Sequence, residues 1–188
     1  MFSSEPVVEV GVTVTFMRME RKPAEPAQAL PTNAQVRVLA GCSVAQYRHL
    51  YNTVGAEYVW WLRRTLPDGQ LAAILRDPDV SIHVLHVDGQ EAGFFELDRG
   101  HPPVVNLSYF GLMPHAVGLG LGTAFLRHAV DAAWDAGARA VTVNTCTADH
   151  PRALPAYLRA GFRVMREVAE VWPVPLRLGL AIPEHLKV

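Results

Sequence analysis

Three glycines spaced two residues apart join a strand-like segment to a long helical pattern in the middle of this 188-residue chain. They are Gly118, Gly120 and Gly122, within residues 112–123. Glycine allows a positive φ and lets a ligand reach main-chain amides without meeting a Cβ atom. The first amides of a helix have no partner inside the helix, and the helix dipole is positive at that end. The segment therefore predicts a site for a phosphate group.

Two common phosphate loops do not fit this spacing. A Walker loop needs a lysine followed by Ser or Thr after the last glycine, whereas Thr123 follows Gly122 directly. A dinucleotide fingerprint needs glycine at the sixth position, which is Thr123 when counted from Gly118 and Phe125 when counted from Gly120. Taken alone, the three glycines are equally consistent with a tight turn from strand to helix.

A second pattern lies about 30 residues further on, at residues 150–162. It reads as a short helix that carries Tyr157, a stop at Gly161 and the start of a strand. Together the two segments resemble the GNAT acetyltransferase superfamily over roughly residues 35–172. Its members carry a Gln/Arg-x-x-Gly-x-Gly/Ala loop and a later helix of the form Asn-x-x-Ala-x-x-x-Tyr-x-x-x-Gly-Phe. Residues 117–122 cover the first pattern, and four positions of the second are in register: Ala153, Tyr157, Gly161 and Phe162.

Three positions depart from the family pattern. Val117 stands where the family usually has Gln or Arg, and Leu119 is apolar where a cation is common. The loop therefore offers main-chain amides but no side-chain charge. His150 replaces the usual Asn and can still hydrogen-bond a pantetheine amide. Pro155 predicts that the regular part of its helix starts near that residue.

The resemblance implies an N-acetyltransferase that transfers an acetyl group directly from acetyl-CoA to the amine of a small molecule or peptide. A strand edge would pair with the pantetheine arm, the loop amides would hold the pyrophosphate, and His150 would complete the coenzyme site. The implied strand residues are Phe110, Gly111 and Leu112, and the implied loop residues are Val117, Gly118, Leu119, Gly120, Leu121, Gly122 and Thr123. A non-catalytic acyl-CoA-binding or regulatory domain of the same fold is the alternative.

The resemblance also implies that Tyr157 points at the coenzyme sulfur. A free phenol has a pKa near 10 and a thiol near 8.5, so full proton transfer is uphill by roughly 2 kcal/mol. We expect a hydrogen bond that shares charge while the C–S bond breaks. The alternative is a tyrosine that only packs against Phe162.

Glu96 is the preferred candidate for the group that removes the amine proton. On a strand, Glu96 shares a face with Phe94 and Asp98, while Phe95 and Leu97 take the other face. A carboxylate between apolar neighbours has a raised pKa that suits a base. The alternatives are an ion pair or a solvated strand edge, and Asp149 and His150 are further candidates for the base.

Other polar and aromatic side chains are candidates for binding the acceptor. The helical pattern at residues 57–75 is rich in bulky groups, which predict either an acceptor wall or core packing with a solvated arginine edge. The candidate acceptor residues are Tyr58, Trp61, Asn106, Ser108, Tyr109 and Asn144.

Composition limits the other classes of function. The net charge is −1, and no basic run is longer than Arg63-Arg64, which argues against nucleic acid. Two cysteines fit a reduced cytosol, and no apolar stretch reaches about 18 residues, so we expect a cytoplasmic protein without a membrane span. The eight histidines have no metal-ligand spacing, so no metal is expected.

The predicted fold is mixed α/β (α+β): a mostly antiparallel sheet with a central splayed parallel strand pair, flanked by helices. Residues 1–20 form an extra N-terminal strand, 21–34 a Pro-rich arm and 35–188 the GNAT-like domain. Whether the first strand joins the sheet or pairs with a second copy is open, and strand and arm would suit a homodimer. Strands are predicted at 7–19, 35–40, 80–87, 91–97, 106–112, 140–143, 162–171 and 176–182, and helices at 43–53, 57–75 (broken near 67–69) and 121–136.

Overall fold

A computed structural model describes residues 5–26 and 28–188 of the chain. Its strands are β1 (Val7–Met19), β2 (Ala34–Val38), β3 (Val80–Val87), β4 (Gln90–His101), β5 (Val104–Leu112), β6 (Ala140–Cys146) and β7 (Arg163–Pro175). Its helices are α1 (Val44–Val54), α2 (Leu62–Thr65), α3 (Asp68–Arg76), α4 (Leu121–Asp135) and α5 (Ala153–Arg159), and 3₁₀ turns lie at Pro114–Ala116, Leu176–Leu178 and Glu184–Leu186.

The seven strands form one sheet in the order β2-β3-β4-β5-β6-β1-β7. All neighbours are antiparallel except β5 and β6, which are joined through α4 and run parallel. Parallel pairing covers only Val104 to Leu107 of β5 against Ala140 to Val143 of β6. Beyond these residues the two strands separate, which confirms the predicted mixed sheet with a splayed central pair.

The N-terminal strand lies inside this sheet. Residues Val10, Val12 and Val14 alternate along β1 and are buried, as expected for a strand with one face in the core. β1 is antiparallel to both β6 and β7. It therefore pairs within the chain and is not free to pair with a second copy. A homodimer stays a prediction, without support from this strand.

Helices cover both faces of the sheet. α4 and α5 pack on the face that carries Phe95 and Leu97, and α1 and α3 pack on the face that carries Phe94 and Ile82. Since successive strand residues point to opposite faces, β4 contributes to both cores. Any opening through the sheet therefore connects the α4–α5 side with the α1–α2 side.

Helix α1 starts as the sequence predicts. The Ser43 hydroxyl accepts a hydrogen bond from the Gln46 amide, and the Gln46 side chain accepts one from the Ser43 amide. This reciprocal pair satisfies two amides that the helix itself leaves unpaired. This capping fixes where α1 begins. It thereby fixes the positions of the aromatic residues that α1 directs toward β4.

Residues 57–61 are not helical, so the prediction of a helix from residue 57 is wrong there. α1 ends at Val54, the chain turns, and only α2 and α3 are helical. At Gly55, an added Cβ atom would lie 2.4 Å from the Cβ atom of Trp60. The chain thus folds back on itself at a glycine, because Trp60 packs against Tyr51 and Tyr109.

The last predicted strands also differ from the structure. β7 runs through Trp172-Pro173-Val174-Pro175 without a break, and its register with β1 extends to Val7 opposite Pro175. The prolines are tolerated because β7 is an edge strand, where a missing N–H costs no ladder bond. Residues 176–182 form a 3₁₀ turn and irregular structure, so the strand predicted there is absent.

None of the helices in residues 5–26 and 28–188 is both long enough and apolar enough to span a membrane.

Candidate functional site

A cleft of about 790 Å³ opens where β5 and β6 separate. One side is formed by the residue 117–123 loop and α5, and the other by the segment from Tyr51 to Leu66. These two sides belong to opposite faces of the sheet. The cleft therefore passes between the strands and joins the two faces.

A β-bulge shapes the β5 wall of this cleft. Leu97 pairs with Leu107, but the preceding Glu96 pairs with Tyr109, so Ser108 is an extra residue on β5. A bulge adds one residue and re-aims the side chains that follow it. As a result Tyr109 packs in the same core as Phe94, on the α1–α2 side.

The glycine loop leaves its backbone open toward the cleft. Gly118 has a φ of +86° and Gly120 a φ of +77°, and an added Cβ atom at either position would meet nothing within 4 Å. Gly120 is the N-cap of α4, which has 15 residues. Unpaired amides at the start of a long helix, with free space above them, fit a pyrophosphate group.

Two of the predicted loop residues contribute less to the candidate coenzyme site than expected. The Val117 amide donates a hydrogen bond to the Pro114 carbonyl (3.3 Å), so this amide is already engaged. The Leu119 side chain is 64% exposed and does not line the cleft. The open amides therefore start at Gly118 and continue through Thr123.

Two arginines that the sequence reasoning did not include also line the cleft. Arg152 immediately precedes α5, and Arg159 is its last residue. The available sequence signal was their place at the two ends of the tyrosine helix. Both carry a positive charge, which Val117 and Leu119 do not.

Tyr157 lies in the wall of the cleft, on the same helix. Its ring is 6% exposed and meets Phe110 and Phe162 edge-on, with centroid distances of 6.4 and 5.8 Å. The packing against Phe162 that one interpretation predicts is therefore present. The position in the cleft wall is the one that the other interpretation, a donor to the coenzyme sulfur, requires. Burial and the negative charge of Asp149 raise the pKa of Tyr157, so its phenol stays protonated.

Glu96 is in the ion-pair arrangement, one of the alternatives that the sequence left open. Its side chain is 1% exposed, and its Oε1 accepts a hydrogen bond from Arg63 Nη2 (2.6 Å). The other oxygen accepts one from the Tyr47 hydroxyl (2.5 Å). Burial raises the pKa of Glu96, although Arg63 and these hydrogen bonds act in the opposite direction. Arg63 lines the cleft, whereas Glu96 lies behind it.

Asp149 ties the irregular segment at residues 57–61 to the end of β6. Its Oδ1 accepts a hydrogen bond from Trp60 Nε1 (3.2 Å). Its Oδ2 accepts bonds from the Thr145 hydroxyl (2.7 Å) and the Cys146 amide (2.9 Å). Nearby, the Tyr58 ring meets His150 edge-on at 6.0 Å. These contacts hold the wall of the cleft in place across the gap between the strands.

The predicted acceptor residues come together in the structure. All six line the cleft, as do Phe110, Gly111, Leu112 and His150. The Asn106 side chain is fixed, because it donates to the Ser108 hydroxyl (3.0 Å) and accepts from the Thr142 hydroxyl (2.9 Å). Trp60, one of the bulky residues of the 57–75 segment, also lines the cleft, as does Trp172, which was not predicted to do so.

Neither metal nor thiol chemistry has support in the described residues. Residues 5–26 and 28–188 contain no group of three His, Cys, Asp or Glu side chains that could hold a metal ion. Burial and the nearby Asp149 raise the pKa of the cleft-lining Cys146 to about 12. A thiol with this pKa stays protonated and is a poor nucleophile.

Comparison with known proteins agrees with this architecture. The model of the acetyltransferase (GNAT) family matches residues 46–162, which is more than half of the chain. The resemblance noted in the sequence is thereby confirmed. No curated protein matches the sequence.

Several solved structures share the fold. A GCN5-related N-acetyltransferase from Sphaerobacter thermophilus has a TM-score of 0.64 and 16% identity, over 92% of this chain and 54% of that chain. One from Kribbella flavida has a TM-score of 0.60 and 16% identity, over 91% and 63%. An IAA acetyltransferase from Bacillus cereus has a TM-score of 0.52 and 20% identity, over 71% and 79%. This chain spans less than two thirds of the first two proteins, and identities this low show the fold alone.

The buried ion pair of the site generates a stability prediction. Replacing Arg63 with Met leaves the Glu96 carboxylate buried without its cation, which should lower the free energy of unfolding by about 3–5 kcal/mol at pH 8. The loss should be smaller at pH 5 than at pH 8, because removal of Arg63 takes away an interaction that lowers the pKa of Glu96, and the neutral carboxyl group becomes more favoured as the pH falls. Urea unfolding at both pH values measures this.

The double variant Arg63→Met, Glu96→Gln should recover most of the stability, since it removes both charges. Lys22→Met is the control, because the Lys22–Asp135 pair is solvent-exposed and should contribute at most about 1 kcal/mol. Equal losses for Arg63→Met and Lys22→Met would contradict the assignment of a buried pair.

Proposed function

Because the chain belongs to the acetyltransferase (GNAT) family, we propose that it transfers an acetyl group from acetyl-CoA directly to the amine of a small molecule or peptide. The observation that carries the proposal is the cleft through the sheet. An open amide loop lies on one side of it, and a wall of aromatic and polar side chains lies on the other. A coenzyme and an acceptor can enter such a cleft from opposite faces and meet between the strands.

Acetyl-CoA would supply the acetyl group as a reactive thioester. The amides of Gly118 to Thr123 would bind its pyrophosphate at the positive end of α4. Arg152 and Arg159 would add side-chain charge from α5. The two arginines would thereby compensate for the absence of a cationic side chain in the loop itself.

The main chain of β5 would bind the pantetheine arm. After Leu107 this strand has no β6 partner, so the edge of Phe110, Gly111 and Leu112 is available for hydrogen bonds. All three residues line the cleft. An amide of this edge would also donate to the thioester oxygen, where negative charge develops during acyl transfer.

Tyr157 would donate a hydrogen bond to the sulfur as the C–S bond breaks and the C–N bond forms. Its raised pKa keeps the donor proton in place at neutral pH, but it also disfavours complete transfer of that proton. A shared hydrogen bond therefore fits this phenol better than full protonation of the leaving thiolate.

Glu96 would take the proton that the amine loses. Its raised pKa brings it nearer to neutral pH, where a general base works well. Its oxygens accept hydrogen bonds from Tyr47 and Arg63, so the proton would have to arrive at the Arg63 side, toward the cleft.

The same burial of Glu96 favours one alternative function, a non-catalytic acyl-CoA-binding domain. Such a domain would keep the amide loop without the need for an accessible base. Thermal stabilisation by CoA with no release of free thiol from acetyl-CoA, across a panel of amines, would identify it. Thiol release that depends on an amine supports the transferase.

Gly120→Asp should abolish CoA binding, because it places a carboxylate at the N-terminus of α4 where the pyrophosphate would lie. Gly41→Asp is the matched control, since Gly41 also has a positive φ (+64°), open space around it and a place away from the cleft. Both variants should lose similar stability, and only Gly120→Asp should lose the thermal shift with CoA. Retained affinity in Gly120→Asp would show that the loop is not the coenzyme site.

Tyr157→Phe should lower kcat by about 10- to 100-fold, because it removes the donor to the sulfur. The dissociation constant for CoA should change little, since the ring and its contacts with Phe110 and Phe162 remain. Steady-state kinetics and calorimetry together measure the two effects. An unchanged kcat would leave Tyr157 with a packing role only.

Glu96→Gln should remove the acidic limb of the pH profile of kcat/KM. In the parent protein, kcat/KM should rise with pH as Glu96 loses its proton, and the raised pKa places this limb above about pH 4.3. An aryl amine with an electron-withdrawing ring substituent is the suitable acceptor, because the pKa of its ammonium form lies below this range and does not contribute to the limb. Glu91→Gln, on the same strand but exposed, is the control. A limb that persists in Glu96→Gln would assign the base elsewhere.

A further inference from the structure

Aromatic side chains dominate the part of the cleft on the α1–α2 side. They are Tyr51, Tyr58, Trp60, Trp61, Tyr109 and Trp172. Tyr109 lies 5.0 Å from Tyr51 and 5.3 Å from Trp60 between ring centroids, so the rings support one another. Packed aromatic walls bind flat or apolar groups by burying large areas of them. The body of a ligand on this side is therefore apolar or aromatic.

One guanidinium lies among these rings with bonding capacity to spare. Arg63 lines the cleft, and its side chain is 17% exposed. Its guanidinium lies 5.3 Å from the centre of the Tyr109 ring and donates to Glu96 through Nη2. Arg63 Nε is buried and has no hydrogen-bond partner among the described residues. A guanidinium carries five N–H donors and binds carboxylates through two of them at once.

A second unpartnered donor lies in the same wall. Trp61 Nε1 is buried and has no partner in residues 5–26 and 28–188. Arg63 Nε and Trp61 Nε1 are both donors, and a buried donor without a partner costs free energy. Because these two atoms are buried, the donor that a ligand can reach on this wall is the exposed part of the Arg63 side chain.

The cleft offers little to a ligand with several positive charges. Within the described residues, Asp149 is the one acidic side chain that lines it. Its two oxygens already accept hydrogen bonds from Trp60, Thr145 and Cys146. Polyamines and aminoglycosides need several anionic partners, and this wall does not supply them.

We infer that the acceptor is a monoamine with an aromatic or apolar body and a carboxylate, such as an aromatic amino acid, and that Arg63 binds the carboxylate. This inference rests on the proposed acetyltransferase function, because it specifies the acceptor of the same site. The amine would lie toward Glu96, the body against the aromatic wall, and the carboxylate on the part of the guanidinium that faces the cleft. Glu96 and Arg63 are hydrogen-bonded to each other, which suits a ligand with its amine and carboxylate on the same carbon, as in an α-amino acid.

Matched acceptors test the inference. Acetylation of phenylalanine should have a kcat/KM at least 10-fold above that of its methyl ester and of phenethylamine, which share the ring and the amine but lack the carboxylate. Spermidine and an aminoglycoside should be the poorest acceptors. Equal kcat/KM for phenylalanine and its methyl ester would overturn the inference while leaving the proposed function intact.

Arg63→Lys connects the preference to this residue. The variant keeps a positive charge beside Glu96 but loses the planar set of donors. The ratio of kcat/KM for phenylalanine to that for its methyl ester should fall at least 10-fold, and any general effect on catalysis cancels in this ratio. Arg64→Lys is the matched control, because Arg64 bonds to the Trp60 and Asn52 carbonyls and does not line the cleft. An unchanged ratio in Arg63→Lys would overturn the role of Arg63.

A binding measurement separates this inference from the proposed function. N-acetylphenylalanine should bind the CoA-loaded protein at least 10-fold more tightly than N-acetylphenylalanine amide, and Arg63→Lys should remove the difference. This outcome supports the carboxylate site even if no amine is acetylated, a result that would refute the transferase alone. Equal binding of the acid and the amide refutes the carboxylate site.

Discussion

The early separation of β5 and β6 is the constraint on which the candidate site depends. Only Val104 to Leu107 of β5 pair with β6. On the side toward β6, the main-chain N–H and C=O groups of the following β5 residues have no partner strand. A strand edge without a partner strand presents a row of unpaired N–H and C=O groups, so this edge suits a ligand that can hydrogen-bond as a strand does. The same separation opens the sheet and lets groups from its two faces meet.

The two faces contribute different chemistry to the cleft. On the α4–α5 side, open amides, Arg152 and Arg159 offer positive charge to an anionic group. On the α1–α2 side, aromatic side chains share the wall with Arg63, which lies over the Tyr109 ring and whose charge is balanced by the buried Glu96. Taking two charges out of water costs more than a surface pair, and only close geometry with further hydrogen bonds offsets that cost. Here Tyr47 supplies such a bond, so both oxygens of the buried Glu96 accept a hydrogen bond.

Much of the fold follows from local patterns in the sequence. The start of α1 at residue 43, the break between the strands predicted at 80–87 and 91–97, and the apolar period of α4 each depend on short-range chemistry, and the structure has them where they were predicted. Prediction failed where tertiary contacts override local signals. Residues 57–61 have a helical pattern, but Trp60 packs on Tyr51 and Tyr109 and breaks it. β7 continues through two prolines because it lies at the sheet edge, which a sequence does not reveal.

The sequence by itself determined the glycine loop, the tyrosine helix and the family, because glycine spacing and helical periodicity are properties of neighbouring residues. Most of the site residues that it named line the cleft, with Glu96 and Leu119 as the exceptions. Only the tertiary structure decided that the N-terminal strand lies between β6 and β7, and that Glu96 is paired with Arg63 and Tyr47. These features join residues 33 (Arg63 and Glu96) to 168 (Val7 and Pro175) positions apart, and no local pattern encodes which distant strand or charge will become a neighbour.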